Sequence, residues 1–178
     1  QFYDLKIIEK PSDIFKINYD KISKLDGWGE LSIKNLKKAI SKAKTISLNR
    51  FIYSIGIRHI GQENAKILAG FFKSIIKFSE LFNEKKRKFF LINLVNLDGI
   101  GETQIHSIND FASNVINKDV FFSLVSVLSV KNFKSANQEG KFKNKNLMFT
   151  GGFEKISRSE AKALTENNGG KVLGGVSK

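Results

Sequence analysis

The sequence predicts a mainly α fold: a tandem array of helix–turn–helix units, followed by a truncated α/β segment of β-α-β type. Three observations predict it. A short apolar stem, a tight turn and an amphipathic stretch occur together three times, as Leu25-Asp26-Gly27-Trp28-Gly29-Glu30, Ile57-Arg58-His59-Ile60-Gly61-Gln62 and Leu97-Asp98-Gly99-Ile100-Gly101-Glu102. Apolar residues follow each copy at helical spacing: Ile33, Leu36 and Ile40; Ala65, Leu68, Ala69 and Phe72; Ile105, Ile108 and Ala112. Beyond about Val130 that period is lost, and two short apolar runs flank a single capped helix. Repetition at a spacing of tens of residues is the signature of an array.

Taken in order, residues 1 to 46 predict a short helix, a connection at Lys10-Pro11-Ser12, and a helical segment from Asp13, with Pro11 and Ser12 as its start signal. The first turn feeds a helix from Leu31 to Lys44. Ser47 is placed to cap the next helix, whose inner stripe is Leu48, Phe51, Ile52 and Ile55. The second turn leads into a helix ending near Phe72. Residues 74 to 97 are helical again, with a charged interruption at Glu84-Lys85-Lys86-Arg87-Lys88, and lead into the third turn. A further apolar helix is expected around Val120 to Val130, and no strand is expected before that point.

Residues 132 to 140 form a linker. After it, Asn146 to Thr150 is expected as a buried strand stopped by Gly151-Gly152, and Ser157 with Glu160 forms a capping box for a helix through Asn167. Gly169-Gly170 ends that helix before a second strand at Lys171-Val172-Leu173. Two strands and one helix cannot cover both faces of a sheet, so this second domain is expected to be incomplete.

Composition narrows the function classes. A hydrophobic fraction of 41% with 16 phenylalanines supports a packed core. No apolar run is long enough to span a bilayer, so no membrane partner is expected. The first residue is Gln1 and no signal-peptide pattern follows, which suggests a piece of a longer protein. With no cysteine and two isolated histidines, neither a disulfide nor a metal site is expected. The formal net charge of +13 favours a polyanionic partner. Lysine far outnumbers arginine, a skew that AT-rich codon usage also produces, so the placement of the charge matters more than its sum.

The turns carry the chemistry. A tight turn that opens a helix presents backbone N–H groups at the positive end of the helix dipole, where a phosphate is favoured. Gly27, Gly29, Gly61, Gly99 and Gly101 are the candidate phosphate contacts, while His59 stands where the other copies have their first glycine. The plain alternative is that each Gly-x-Gly only closes an αα-turn. Five residues after the last glycine stand Lys34, Lys66 and His106, near the start of each helix. Arg58, one of four arginines, lies inside a turn and is the leading side-chain candidate for a phosphate or minor-groove contact. Trp28 is expected as an apolar plug between paired hairpins. The run Lys85 to Lys88 is either a solvated helix start or a non-specific DNA contact.

Lys24-Leu25-Asp26-Gly27 has the Lys-x-Asp-Gly spacing of an adenylated lysine, but the third copy reads Asn96-Leu97-Asp98-Gly99. A motif that survives loss of its lysine is a turn motif.

These parts together resemble the C-terminal half of bacterial NAD-dependent DNA ligases. The resemblance rests on the tandem hairpins, on Phe51-Ile52-Tyr53-Ser54-Ile55-Gly56-Ile57-Arg58-His59-Ile60-Gly61, on the strand Leu147-Met148-Phe149-Thr150-Gly151, and on Ser157-Arg158-Ser159-Glu160-Ala161-Lys162 and Asn168-Gly169-Gly170-Lys171-Val172. It implies a helix-hairpin-helix DNA-binding domain over 1–131, its first hairpin incomplete with Phe2 to Ile8 as the remnant helix. It also implies the N-terminal half of a BRCT domain over 141–178. The activity implied is sealing of nicks in replication and repair, with NAD, magnesium and a structural zinc belonging to the rest of the protein and no catalytic residue or cofactor here. The partner implied is double-stranded nicked DNA, held without regard to sequence, by a monomer in the bacterial cytoplasm at the nucleoid. Thr150 and Gly151 fall where some BRCT domains hold a phosphate, but the usual lysine partner is not among these residues. The alternatives are a non-catalytic helix-hairpin-helix scaffold for repair or junction DNA, and a module that binds protein alone.

Overall fold

The computed structural model describes residues 1–134, 140–153 and 156–173. The chain divides into two compact units, Gln1–Phe133 and Lys134–Lys178.

In the first unit, a 3₁₀ helix at Pro11–Lys16 precedes α1 (Tyr19–Ile22) and α2 (Glu30–Ala43), and strand β1 (Thr45–Ser47) leads into α3 (Leu48–Ser54). Then come α4 (Gln62–Phe72), α5 (Ile75–Ser79), a 3₁₀ turn at Glu80–Phe82, α6 (Glu84–Leu94), α7 (Glu102–Ser113), α8 (Val115–Val125) and β2 (Ser129–Lys131). The three turns join α1 to α2, α3 to α4 and α6 to α7. The second unit contains β3 (Asn146–Leu147), α9 (Arg158–Asn167) and β4 (Lys171–Val172), with β3 and β4 parallel.

The core of the second and third hairpins is built largely from phenylalanine. Phe121 on α8 is fully buried and meets Phe51 of α3, Phe78 of α5 and Phe82, at ring-centroid distances of 5.6, 5.9 and 4.6 Å. Phe72, at the end of the Ala65-Leu68-Ala69 stripe, meets Phe78 and Phe90 at 5.1 and 5.2 Å in near-perpendicular geometry. A smaller cluster holds the first hairpin: Ile17, Ile22 and Ile40 are buried, and Phe2, Trp28 and Leu36 pack around them.

Several expectations are corrected. Residues 2–6 form hydrogen-bonded turns rather than a helix, and Lys6 lies at φ 52°. Phe2, Ile7 and Ile8 all turn into the small cluster, which their spacing on a straight helix would prevent. Trp28 is not a plug between hairpins. It packs within the first cluster, 5.0 Å from the Phe2 ring. The segment from Pro11 is 3₁₀ rather than α, and α1 is one turn capped by Asn18. Ser47 occupies the N-cap of α3, but its side chain makes no capping bond.

Glu84 to Lys88 does not interrupt a helix; it opens α6, with the Asn83 side chain accepting from the Lys86 amide at 3.1 Å. The last helix of this unit begins at Val115 and gives way to β2, which pairs in parallel with β1 through Thr45–Ser129, Ile46–Val130 and Ser47–Lys131. Strands of three residues are too short to display a two-residue period. In the second unit, β3 is two residues long, with Asn146 exposed and Leu147 half-buried rather than buried. The capping box of α9 forms as expected: Ser157 Oγ accepts from the Glu160 amide at 3.2 Å, and Glu160 Oε2 accepts from the Ser157 amide at 2.7 Å. The proposed linker begins with Phe133 still anchored, its amide donating to the Lys73 carbonyl at 2.8 Å. Residues 135–139 of that linker lie outside the described residues.

The 3₁₀ helix gives a pH-dependent prediction. The Asp13 carboxylate accepts from the amides of Lys10 and Glu9, at 3.0 and 3.1 Å, which together hold its pKa below the ordinary value of 3.8. A depressed carboxylate stabilises the fold above its unfolded pKa, and the effect is lost as pH falls through the folded value. Carboxyl-carbon NMR should give an Asp13 midpoint below 3.8. Asp13→Asn should remove that part of the acid dependence, and a midpoint at or above the ordinary value would refute the cap.

Candidate nucleic-acid interface

The three turns share one backbone. In each, the amide of the fourth residue donates to the carbonyl of the first: Trp28 to Leu25 at 3.2 Å, Ile60 to Ile57 at 3.1 Å, and Ile100 to Leu97 at 3.0 Å. The third residue has positive φ, the mark of a type II turn: 82° at Gly27, 60° at His59 and 86° at Gly99. His59 therefore adopts the left-handed conformation that glycine supplies in the other two copies. The fourth residue turns inward, leaving Ile60 and Ile100 6% and 4% exposed. The next glycine is extended and caps the following helix, with its carbonyl accepting the first helical bond: Gly29 from Ile33, Gly61 from Ala65 and Gly101 from Ile105.

A cap glycine has no side chain to occupy the first amides of its helix. In the first turn, the amides of Gly29, Glu30, Leu31 and Ser32 donate to no acceptor among the described residues. In the other two, the side chain three residues on folds back over the cap: Asn64 Oδ1 accepts from Gly61 N at 3.3 Å, and Gln104 Oε1 from Gly101 N at 3.0 Å. The Glu102, Thr103 and Gln104 amides of the third turn have no acceptor among the described residues.

The second and third turns are coupled. Asn64 Nδ2 of α4 donates to the Gly99 carbonyl at 2.6 Å, and a Cβ on Gly99 would lie 2.8 Å from Ile67 Cδ1. Arg58 and His59, both exposed, face α7 across an open groove whose other wall is Glu102, Thr103, His106, Ser107 and Asp110. Arg58, His59 and His106 are thus brought together. Gly27, Gly29 and Lys34 belong to the first hairpin and its own cluster.

The candidate cations fare differently. Lys34 is exposed and Lys66 half-buried. His106 is exposed, and its Nδ1 lies 2.9 Å from Asp110 Oδ2, so any positive charge it gains has a carboxylate beside it. The basic run on α6 is largely committed within the fold. Lys86 and Lys88 pair with Glu80 and Glu84 at 2.7 and 2.8 Å. Arg87 turns inward, donating to the carbonyls of Leu81 and Ala112 at 3.2 Å and to Asn109 Oδ1 at 3.1 Å. Of that run only Lys85 extends without such a role among the described residues. Sequence reasoning passed over Lys38 and Lys42, which continue the line of Lys34 along α2. Their spacing of four residues was the available signal.

Lys24-Leu25-Asp26-Gly27 forms the turn between α1 and α2, with the same backbone bond as the Asn96 copy. Among the described residues no three His, Asp or Glu side chains gather as a metal centre, and the chain has no cysteine. Among the described residues no helix is long and apolar enough to cross a membrane.

Fold and turns together define the class: a helix-hairpin-helix array with a BRCT-like segment after it. A family model described as helix-hairpin-helix motif matches residues 50–121, the second and third hairpins, and one described as BRCA1 C Terminus (BRCT) domain matches residues 137–178. The chain is 49% identical to a DNA ligase of Pelagibacter ubique over 99% of its own length and 38% identical to one of Rickettsia bellii over 98%. A DNA ligase of Rickettsia conorii is 40% identical over 88% of the chain. These matches fit a fragment of a bacterial DNA ligase: the chain spans 26% of the length of the Pelagibacter and Rickettsia bellii relatives and 23% of the Rickettsia conorii one.

Proposed function

We propose that this chain is the part of an NAD-dependent DNA ligase that holds duplex DNA around a nick, through backbone amides at the hairpin turns and cations beside them. The observation that carries this reading is the threefold recurrence of one turn geometry at helix starts capped by glycine, in a chain related to DNA ligases. Such turns contact phosphate oxygens, which fix position and carry no base information. The reaction is the joining of a 3′-hydroxyl to a 5′-phosphate through an adenylated enzyme and adenylated DNA. NAD, magnesium and zinc serve it in the remainder of the protein, which works as a monomer at the bacterial nucleoid. The chain itself contributes grip.

Fluorescence anisotropy on a nicked duplex, titrated across salt, tests this. Binding should weaken steeply with salt, since each neutralised phosphate contributes a slope of about −0.9 in log K against log salt. Affinity should vary little between unrelated sequences. The Arg58→Ala/Lys66→Ala variant should bind more weakly, with a slope shallower by up to about 1.8 if both contact phosphates. Binding that ignores salt and survives the double substitution would favour a module that binds protein.

A further inference from the structure

The three hairpins share one backbone but differ sharply in charge. From Leu97 to Ser113 the third hairpin has no lysine or arginine, while Asp98, Glu102 and Asp110 are all exposed. The second hairpin sets Arg50, Arg58 and Lys66 against Glu63, and Arg58 shares its groove with Glu102 and Asp110 of α7. The first is different. From Leu25 to Lys44 it has five lysines and two acids, Asp26 in the turn and Glu30 at the helix start.

Those lysines are sorted by the helix. Ile33, Leu36 and Ile40 face the small cluster. At 100° per residue, Lys34, Lys38 and Lys42 lie on the opposite side, one turn apart. All three are exposed, and none forms an ion pair among the described residues. Lys37 is set apart, its Nζ 5.8 Å from the centre of the Tyr19 ring. The line from Lys34 to Lys42 covers about 12 Å of helix. One strand of B-form DNA carries three or four phosphates over that length, at about 3.4 Å of axis each. At the head of the line stand the open amides of Gly29 to Ser32.

We infer that the outer face of α2, lined by Lys34, Lys38 and Lys42, is the principal electrostatic contact with the duplex backbone, and that the grip weakens along the array toward the third turn and its acidic helix α7. This rests on the proposed binding of duplex DNA and assigns its strongest contact. Three lysines on one face, with no ion pair among the described residues and no acid between them, complement a row of phosphates, while the third turn and α7 offer a phosphate amides set among carboxylates.

The test is anisotropy of the full chain on a nicked duplex across salt. It compares the parent with Lys34→Gln/Lys38→Gln/Lys42→Gln, with the corresponding triple arginine variant, and with Arg58→Ala/Lys66→Ala. The triple glutamine variant should lose at least about tenfold in affinity near 0.1 M salt, with a slope shallower by about 0.9 for each contact removed. The loss should exceed that of the Arg58/Lys66 variant, and the arginine variant should bind as the parent does. Lys38→Glu, a single exposed change, should also weaken binding and covers the case of a triple variant with a lowered melting temperature. If the parent binds and the glutamine variant binds equally well with the same slope, the inference fails while the function above stands. If the parent does not bind duplex, both fail. Poly-glutamate of matched charge competing as well as duplex would overturn the inference in favour of an acidic protein partner.

Discussion

Phe121→Ala is expected to lower the unfolding free energy of the first unit by about 3–5 kcal/mol, the range for removing a fully buried aromatic ring. The ring is only 1% exposed, and it touches Phe51, Phe78 and Phe82 from three different segments, so no single neighbour can shift to fill its place. For a unit of this size the melting temperature should fall on the order of 10–20 °C. Phe121→Leu keeps most of the volume and should cost far less. Thermal denaturation followed by circular dichroism measures both. A drop of only a degree or two for the alanine variant would mean that α8 does not seal this core.

Gly99→Val is expected to damage both stability and grip. A side chain at φ 86° costs about 1–2 kcal/mol from handedness alone, and a β-branched one costs more. The new Cβ would also lie 2.8 Å from Ile67 Cδ1, and the turn that presents the Gly99 carbonyl to Asn64 would have to move. A total loss of about 2–4 kcal/mol follows from the strain and the disturbed hydrogen bond. Gly27→Ala supplies the comparison. Its φ is 82°, but nothing lies within 4 Å of the added carbon, so it measures the backbone penalty without crowding. Gly99→Ala should therefore destabilise more than Gly27→Ala in urea denaturation. Equal effects would show that Ile67 moves aside freely. Binding to duplex should fall for Gly99→Val even where the variant remains folded.

The turns were legible in the sequence because glycine spacing reports backbone geometry directly. Even the irregular copy kept its form, since His59 accepts the left-handed conformation in place of glycine. The helices on either side were legible from their apolar stripes. Three features were not, each for a physical reason. The β1–β2 pairing joins segments more than eighty residues apart through three positions each, too few to show alternation. The inward course of Arg87 depends on the carbonyls of Leu81 and Ala112, which only the tertiary fold brings to it. The turns of residues 2–6 let Phe2, Ile7 and Ile8, which a straight helix would point in different directions, all reach the small cluster. Within the candidate site, sequence alignment of the copies found Lys34, Lys66 and His106, but it could not tell Lys34, which has no ion pair among the described residues, from the histidine held by Asp110.

The β1–β2 pair also decides how the chain bears tension. The segment from Leu48 to Leu128, which includes the second and third hairpins, leaves and re-enters the sheet at strands lying side by side. Because the strands are parallel, a pull toward the N-terminus on β1 and toward the C-terminus on β2 drives them past each other lengthwise. The hydrogen bonds are then loaded together rather than opened one by one. The clasp carries a load applied along the chain, and the two hairpins hang from it as a closed loop that the load bypasses.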